Sequence, residues 1–422
     1  MTGASFIKVA FTGVEAFIDV TLPALYSSNN LQVGAPVRVT LTSRASNVVR
    51  VEPAVLFTGI VVLSQALSGA SVPIIVLRSA VGAWNIPNNT LSNAGAANYW
   101  RTFYVPSDVT QVAVTVGNRI GNAGAGSSVP CTFAIGTSNG SGGFQSSPTT
   151  YASQTVPGDG TVLTLPTTTV TRGSDGRICV AFSYPGGGGT LSTAYAGSTR
   201  IGSYKVGGSL YPTPAFDGVD ITPLFQWHID YTTAKRRFLV LGDSISVGAS
   251  GTSPDLLGFD SAAWPTLGVA HDFAVDVEGR PGGTLAERAN TVGYPYLWDQ
   301  VLVSGCDVVV QLGVNDTPAG LSSMQASITS IVAYVRAAGA ARVYASTVSP
   351  NTAYAAEAAR TGYNTWLLAN SLALTAVCDL DLALRDPANQ AQLLAAYSSD
   401  GLHYSVAGQA AAKVAWETTL GI

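Results

Sequence analysis

The chain has 422 residues, of which 47% are hydrophobic and 11% are charged, and its formal net charge is −4. This length and hydrophobic content allow two or three domains with cores of their own. The weak negative charge excludes the basic surfaces through which many proteins bind nucleic acids or anionic membranes.

The first 85 residues are predicted to form an N-terminal β-rich region. They begin without the basic segment and apolar core of a signal peptide. The stretch from Pro53 to Leu77 carries no charge, but Gln65 and Pro73 make it a poor membrane-spanning helix. We expect two buried strands there, joined by a turn at Ser68 to Ser71, and no membrane insertion.

Residues 86–232 are predicted to form a β-sandwich of jelly-roll type. Short segments in which apolar and polar residues alternate recur between Gly-, Pro- and Asn-rich turns, which is typical of antiparallel strands. Examples are RTFYVPSDV, QVAVTVGN, CTFAIGTS, RICVAFSY and FQWHIDYT. Cys131 and Cys179 lie in such segments, and the sequence does not decide whether they pair. Cys306 and Cys378, further along, are interpreted as small core residues.

Residues 233–422 have the pattern of an α/β three-layer sandwich built on a parallel sheet. Apolar runs of strand length alternate with helical segments, as in parallel strands covered on both faces. The predicted strands include Phe238 to Gly242, Asp307 to Gly313, Arg342 to Thr347 and Ala376 to Leu382. The predicted helices include Leu321 to Ala338, Tyr354 to Leu372 and Val406 to Thr418. Functional side chains of such domains gather at the carboxyl ends of the strands.

A serine follows the first of these strand ends. In LVLGDSIS the strand ends at Gly242, and Ser244 follows where a helix is expected to begin. This position directs the hydroxyl and the N–H of Ser244 into one cavity, near the positive end of a helix. A serine hydroxyl needs a base to act as a nucleophile, and the three histidines of the chain are the candidates.

His403 is the histidine best placed to be this base. It lies in SSDGLHYSVAG, where the carboxylate of Asp400 can hold one ring nitrogen while the other faces the serine. His228 lies on the polar face of a strand, and His271 follows a helical stretch, which favours surface positions for both. A structural role is an equally good interpretation of the His403 segment taken alone.

Two further segments are candidates for binding an oxyanion. In QLGVND, Asn315 follows a strand, and its amide is suited to donate to a developing negative charge. Asn-Asp is also a common pair in turns. The segment GRPGGTL follows the strand-like FAVDVEG, and it is either a simple turn or the source of a second backbone donor.

Together these segments resemble the SGNH/GDSL hydrolase superfamily over about Arg236 to Ile422. GDSIS is similar to the first block of that family, GVND to the third and DGLH to the fifth, while SAAWP resembles the stretch after the nucleophile in bacterial members. The resemblance implies a serine esterase with Ser244 as nucleophile, His403 as base and Asp400 as its partner. It assigns Asn315 to the oxyanion hole.

The same resemblance implies an acyl-enzyme mechanism. The oxyanion is then held by the N–H of Ser244, the N–H of Gly282 and the amide of Asn315, with Gly283 as the alternative glycine. Tyr404 stands where many members of the family have proline after the histidine. On this basis we expect a less rigid histidine loop.

The implied chemistry requires no metal or other cofactor. The segment GTSNG fits the pattern G-x-S-x-G, but Ser138 is not followed by a helix-like segment, so we interpret it as a loop. The glycine-rich runs lack the lysine of a phosphate-binding loop. The three separated histidines, without an HExxH motif, do not predict a zinc site.

The expected substrate is an acetylated carbohydrate. A β-sandwich beside the catalytic domain resembles the modules with which similar enzymes dock glycans, and four aromatic residues are candidate stacking faces, although core positions suit them as well: Trp84, Trp100, Tyr104 and Trp227. We therefore expect removal of O-acetyl groups from a polysaccharide or bacterial surface glycan. A short-chain carboxylesterase or a lysophospholipase-like lipid esterase is the enzymatic alternative.

The composition also resembles that of phage tail and spike proteins. Charged residues are few, and Gly, Ser and Thr are abundant. The expected location is therefore extracellular or virion-associated, and a homo-oligomer such as a trimer would accompany the virion. A virion receptor-binding protein with a glycan-binding role is the alternative from a different functional class.

Overall fold

The structure, a computed structural model, describes residues 17–21, 36–41, 49–52, 77–79, 89–91, 97–120, 123–124, 126–140, 143–185, 191–193, 203–205, 225–248, 262–279, 282–290, 303, 305–352 and 356–422. The chain divides into two compact units, Met1–Val76 and Leu77–Ile422. The strands and turn predicted between residues 53 and 76 lie outside the described residues.

The first unit contains a three-stranded antiparallel sheet. Its strands are β1 (Phe17–Thr21), β2 (Pro36–Leu41) and β3 (Val49–Glu52), with β2 in the centre. The sheet agrees with the β-rich character expected for this part of the chain. The boundary at residue 85, like the other predicted domain boundaries, stays a prediction.

The second unit begins with antiparallel sheets, as the alternating segments predicted. Its antiparallel strands are β4 (Leu77–Ser79), β5 (Asn89–Leu91), β6 (Ala97–Tyr104), β7 (Gln111–Gly117), β8 (Arg119–Ile120), β9 (Ala123–Gly124), β10 (Val129–Thr137), β11 (Thr149–Val156), β12 (Val162–Thr164), β13 (Thr168–Thr169), β14 (Arg177–Tyr184), β15 (Leu191–Thr193), β16 (Ser203–Lys205) and β17 (Gln226–Thr232). One sheet has the order β11-β10-β14-β6-β16, and a second has the order β12-β7-β17-β4, with β13 also paired to β7.

The two larger sheets share one apolar core. Alternate residues of β7, among them Val112 and Val114, belong to the same buried cluster as Phe133 on β10 and Phe182 on β14. This is the packing of a β-sandwich. The jelly-roll connectivity stays a prediction.

The cysteines of the described residues are buried, and none of them forms a disulfide bond. Cys131 belongs to the main core, whereas Cys179 lies in a separate cluster with Phe144 on the other side of the sheet. The residue opposite Cys179 on β10 is Gly136, five positions beyond Cys131. The two thiols therefore do not face each other.

A five-stranded parallel sheet follows, and it confirms the predicted α/β architecture. Its strands are β18 (Arg237–Gly242), β19 (Ala274–Gly279), β20 (Asp307–Gln311), β21 (Arg342–Ser346) and β22 (Ala376–Cys378), in the order β19-β18-β20-β21-β22. Every residue of β18, β19 and β20 is buried. The continuous apolar runs of the sequence reflect this burial, because helices cover both faces of such a sheet.

The helices of this region form two packed groups. They are α1 (Ala263–His271), α2 (Leu285–Ala289), α3 (Leu321–Ala337), α4 (Glu357–Leu368), α5 (Leu380–Leu384) and α6 (Val406–Leu420), with a 3-10 helix at Val314–Ala319. Helix α6 packs with α1 and α5, while α3 packs with α2 and α4. These groups are the two outer layers of the three-layer sandwich.

One predicted strand is shorter in the structure. The segment from Ala376 to Leu382 was expected to be extended throughout, but β22 ends at Cys378 and α5 begins at Leu380. The side chain of Asp379 accepts the N–H of Leu382. Such an N-cap favours the start of a helix over further strand.

Asp272 joins the β-sandwich to the α/β region. It ends α1 in a left-handed conformation with φ of 55°. Its carboxylate accepts hydrogen bonds from the Tyr104 hydroxyl (2.7 Å) and the Ser107 N–H (2.8 Å) and forms an ion pair with Lys235 (2.6 Å). Burial opposes the ionisation of Asp272, but these partners outweigh it and hold its pKa well below the usual range. Tyr104 is thus a buried contact residue, which agrees with the core position that its sequence also suited.

Within the described residues, no helix has the length and apolar character needed to cross a membrane.

Candidate active site

Ser244 lies in a tight turn at the carboxyl end of β18. The serine is 7% exposed, and the preceding Asp243 accepts the N–H of Ile245 at 2.9 Å. A Cβ atom on Gly242 would lie 2.3 Å from the Cβ of Ser246, so the turn requires glycine before the Asp-Ser pair. Packing of the strand end therefore fixes the serine backbone.

The chain after Ser244 differs from the prediction. Residues 244–248 form hydrogen-bonded turns, with the N–H of Gly248 donating to the carbonyl of Ile245 at 3.1 Å. The expectation that a helix begins at Ser244 is wrong for these residues. Residues 249–261, which lead to α1, lie outside the described part of the chain.

A chain of hydrogen bonds joins Ser244, His403 and Asp400. The Oγ of Ser244 lies 3.0 Å from Nε2 of His403, and Nδ1 of the same ring lies 2.7 Å from Oδ2 of Asp400. The serine and histidine are 159 positions apart in sequence. The fold thus brings together the three residues that the sequence analysis proposed as a catalytic set.

Asp400 is held by its own turn. Its Oδ1 accepts the N–H of Leu402 at 2.9 Å and the N–H of His403 at 2.8 Å. Partial burial opposes its ionisation, but the hydrogen bonds from His403 and from the backbone outweigh it and lower the pKa of Asp400 to about 2. The carboxylate therefore stays ionised at neutral pH and favours a proton on the histidine nitrogen that faces it.

Tyr404 anchors the histidine loop at the position where many family members have proline. It is 2% exposed, and its hydroxyl donates to Oγ of Ser349 at 2.9 Å, in the segment after β21. The carbonyl of Gly401 also accepts the N–H of Thr352 at 3.0 Å. The expectation of a less rigid loop overlooked these contacts, because they come from a distant part of the chain.

Asn315 and the glycine pair are also brought together. The side-chain N–H of Asn315 donates to the carbonyl of Gly283 at 2.9 Å. Gly242 lies opposite Gln311 on β20 and opposite Gly279 on β19, so the segments carrying Ser244, Asn315 and the glycine pair leave neighbouring strands at one edge of the sheet. Gly282 has φ of 74°, in the region that favours glycine.

Asp316, for which the sequence alone predicted no role, completes this connection. Its carboxylate accepts the N–H of Leu285 at 2.8 Å and the N–H of Ala286 at 3.2 Å, at the start of α2. Asn315 and Asp316, neighbours in the GVND segment, thus bond to the glycine loop and to the start of the helix that follows it. The sequence signal for this role was the position of Asp316 directly after Asn315, the candidate oxyanion donor.

Asp243 is almost completely buried beside the nucleophile. It lines a small cavity together with Gln311, Ser346 and Tyr404. Burial raises the pKa of Asp243 to about 7, and the nearby charge of Asp316 contributes to this rise. The backbone N–H groups that donate hydrogen bonds to the carboxylate lower the pKa, but their effect is smaller. The carboxyl group of Asp243, next to Ser244, therefore changes from its protonated to its ionised form near neutral pH.

Two buried glutamines were also missed. Gln311 accepts hydrogen bonds from the indoles of Trp264 and Trp416. Gln409 bonds to the backbone of Ile245 and Ala263. The sequence offered a signal for Gln409 only, because it is a polar residue on the buried face of α6.

Other candidate residues lie apart from this site. Ser138 of the GTSNG segment is buried, and its hydroxyl donates to Asp175 at 2.9 Å. His271 bonds to Glu417 at 2.7 Å and stacks on Phe273. The side chain of His228 lies outside the described part of the structure. Across the described ranges, no cluster of three or more His, Cys, Asp or Glu residues is placed to hold a metal ion.

Comparisons with known proteins identify the C-terminal region. The model of the GDSL-like Lipase/Acylhydrolase family matches residues 240–411. A search of curated proteins finds no match.

Several solved structures are similar to parts of this chain. A lipolytic protein of the G-D-S-L family from Desulfitobacterium hafniense shares 16% identity, with 43% of this chain and 98% of that chain covered and a TM-score of 0.35. The esterase EstA from Pseudoalteromonas shares 18% identity, with 44% of this chain and 97% of that chain covered and a TM-score of 0.35. A family two carbohydrate esterase from Clostridium thermocellum shares 12% identity, with 81% of this chain and 99% of that chain covered and a TM-score of 0.36. These TM-scores are too low to assign a substrate.

The matched residues begin within β18 and end within α6, so they span the Ser244, Asn315 and His403 segments. The C-terminal region therefore carries a GDSL-like lipase/acylhydrolase domain at residues 240–411, and the chain is a carboxylic ester hydrolase.

Proposed function

We propose that this esterase removes O-acetyl groups from a polysaccharide or bacterial surface glycan by Ser-His-Asp catalysis. The observation that carries the proposal is the hydrogen-bonded chain from Asp400 through His403 to Ser244. Nucleophile and base are within hydrogen-bonding distance, and a third group orients the base.

In the first step, Oγ of Ser244 attacks the carbonyl carbon of the acetyl ester. Nε2 of His403 accepts the hydroxyl proton, while Asp400 holds the ring and stabilises its positive charge. As the tetrahedral intermediate collapses, the bond between the carbonyl carbon and the sugar oxygen breaks. His403 then returns the proton to that oxygen, and the acetyl group stays on Ser244.

The oxyanion donors in this mechanism are the N–H of Ser244, the N–H of Gly282 and the amide of Asn315. One amide hydrogen of Asn315 bonds to Gly283, and a primary amide has a second hydrogen that we assign to the oxyanion. Water then attacks the acetyl carbonyl with His403 again as base, which releases acetate and restores the serine.

A small acyl group on a polar substrate agrees with the surface around the site. The exposed large apolar side chains of the described residues lie within helices or at the last residue: Val269, Leu368, Leu382, Val406, Val414 and Ile422. Among the described residues near the site, only Val406, at the start of α6 after the histidine loop, belongs to this set, so no extended apolar surface is formed there. Long-chain lipids are bound through extended apolar surface, so this distribution favours a glycan over a lipid.

The β-sandwich gives further support for a carbohydrate substrate. The Asp272 contacts fix it to α1, the helix that packs against α6 behind the histidine loop. An accessory module fixed in this way is suited to present a long glycan to the catalytic edge. We propose that the enzyme acts outside the cell or on a virion, where a homo-oligomer would offer several such surfaces.

The test is acetate release from 4-nitrophenyl acetate and from a panel of acetylated polysaccharides. The wild type should release acetate, Ser244→Ala should not, and Ser138→Ala should retain activity while folded. Strong preference for long-chain lipid esters over every acetylated polysaccharide would overturn the substrate assignment. Equal activity of the wild type and Ser244→Ala would overturn the mechanism.

A further inference from the structure

Gln409 connects the nucleophile turn to the helix behind the histidine loop. Its side chain is buried, with the residue only 2% exposed. Its Nε2 donates to the carbonyl of Ile245 at 2.9 Å, and its Oε1 accepts the N–H of Ala263 at 3.0 Å. Both ends of one amide are thus used, on segments 164 and 146 positions away.

Gln409 is connected to both Ser244 and His403, to the first through a hydrogen bond and to the second through its helix. Ile245 immediately follows Ser244, so the bond from Gln409 holds the backbone next to the nucleophile. Helix α6 begins at Val406, three residues after His403, and is capped by Ser405. Gln409 therefore lies in the first turns of the helix that supports the base.

Gln409 also completes the start of α1. The N-cap residue of α1 is Ala262, which provides no side-chain cap. The first N–H groups of a helix have no partner within that helix, and a buried one without a partner is costly. The amide oxygen of Gln409 supplies this partner at Ala263 from a different helix.

A close approach of α6 makes these bonds possible. A Cβ atom on Gly408 would lie 2.5 Å from the carbonyl oxygen of Tyr397, so glycine lets the helix pack directly on the chain before the histidine loop. Gln311 joins α1 and α6 independently, since it accepts the indole N–H groups of Trp264 and Trp416. The two helices therefore stay joined when the Gln409 amide is removed.

We infer that Gln409 is a positioning residue that sets the distance between Ser244 and His403. It contacts no reacting atom and acts through the backbone of Ile245. This inference rests on the proposed Ser-His-Asp mechanism. Catalysis depends on a near-attack geometry, and a displacement of about 1 Å can reduce the rate by about 100-fold.

The test replaces the amide with a side chain of similar shape. Gln409→Met should lower kcat for 4-nitrophenyl acetate by about 10- to 100-fold and leave KM within about twofold, because substrate contacts remain. The matched control is Asn118→Leu, which removes a buried amide that donates to the carbonyl of Ser127 in the β-sandwich. It should retain the kcat of the wild type at temperatures where it is folded.

The outcomes separate this inference from the proposed function. Folded Gln409→Met with the kcat of the wild type, or with a loss no larger than that of Asn118→Leu, would overturn the positioning role. If the Met variant does not fold, Gln409→Asn decides, and a kcat equal to that of the wild type again overturns it. A wild type inactive on all esters would instead overturn the proposed function.

Discussion

The Oγ of Ser244 lies 3.0 Å from Nε2 of His403, yet the segments that hold the two residues differ in burial. Ser244 is 7% exposed and follows a strand that is buried along its whole length. On the other side, the side chains of His403 and Asp400 are 19% and 42% exposed. The nucleophile is therefore held by core packing, whereas the base and its carboxylate are held by hydrogen bonds within a surface loop.

This difference indicates how each half of the site should respond to substitution. Changes in the loop should reduce activity while leaving most of the core intact, because few buried contacts are lost. Changes beside the nucleophile should affect stability as well, because buried polar groups there lose their partners.

Asp400→Asn should lower kcat by about 10³- to 10⁴-fold with little loss of stability. Asparagine can keep the backbone contacts of Oδ1, but it loses the charge that orients and stabilises the histidine. The measurement is steady-state hydrolysis of 4-nitrophenyl acetate together with a thermal unfolding curve. Asp386→Asn, which alters another turn aspartate that accepts a backbone N–H, should be as active as the wild type. A fall of less than tenfold for Asp400→Asn would contradict the assignment.

Asn315→Ala should lower kcat by about 10²- to 10³-fold, the usual cost of one oxyanion donor. KM should change less, since the lost hydrogen bond strengthens in the transition state. The change also removes the bond to Gly283, so some loss of thermal stability is expected. Asn389→Ala, in a surface turn, is the matched control. An increase in KM with no change in kcat would show that Asn315 binds the ground state only.

Asp243→Asn should alter the pH dependence of stability. The unfolded carboxyl ionises near pH 4, whereas burial raises the pKa of folded Asp243 to about 7. Between these values the folded state binds more protons, so this group stabilises the wild type less as pH rises. The variant should therefore gain roughly 2–3 kcal/mol relative to the wild type between pH 5 and pH 8. Denaturant unfolding at both pH values measures this, and a pH-independent difference would contradict it.

Gly401→Ala should disturb the loop half of the site alone. Gly401 has φ of 75°, and an added Cβ would lie 2.1 Å from Oγ1 of Thr352. We expect a loss of about tenfold in kcat from displacement of the loop. Gly421→Ala is the control, because Gly421 also has a positive φ, of 69°, but has open space around it at the end of α6. Equal kcat values for the two variants would show that the loop tolerates the added side chain.

The sequence predicted the parts of the site that depend on local patterns. Apolar runs located β18, β20 and β21, and the Asp-x-x-His spacing identified a pair that one turn can join. Ser244 could be predicted because a glycine and an acidic residue follow a strand of the right length. These features each depend on a few neighbouring residues, so they can be read without knowing the tertiary fold.

The parts that the sequence did not predict depend on distant contacts. Gln409 is assigned a role only because Ile245, 164 positions earlier, lies against α6. Tyr404 in place of proline predicted a looser loop, but its hydroxyl is held by Ser349, a residue distant in the sequence. The turn after Ser244 replaced an expected helix. Such features arise from packing between segments, which propensity and spacing do not encode.

Covalent labelling of the reactive serine tests whether Ser244 is the nucleophile and whether His403 activates it. A phosphonate ester that reacts with activated serines would be added to the wild type, Ser244→Ala and His403→Ala, and the labelled peptides would be identified by mass spectrometry. We expect a label on Ser244 in the wild type, none in Ser244→Ala and strongly slowed labelling in His403→Ala. A label on another residue, or labelling of Ser244 at an unchanged rate without His403, would contradict this expectation.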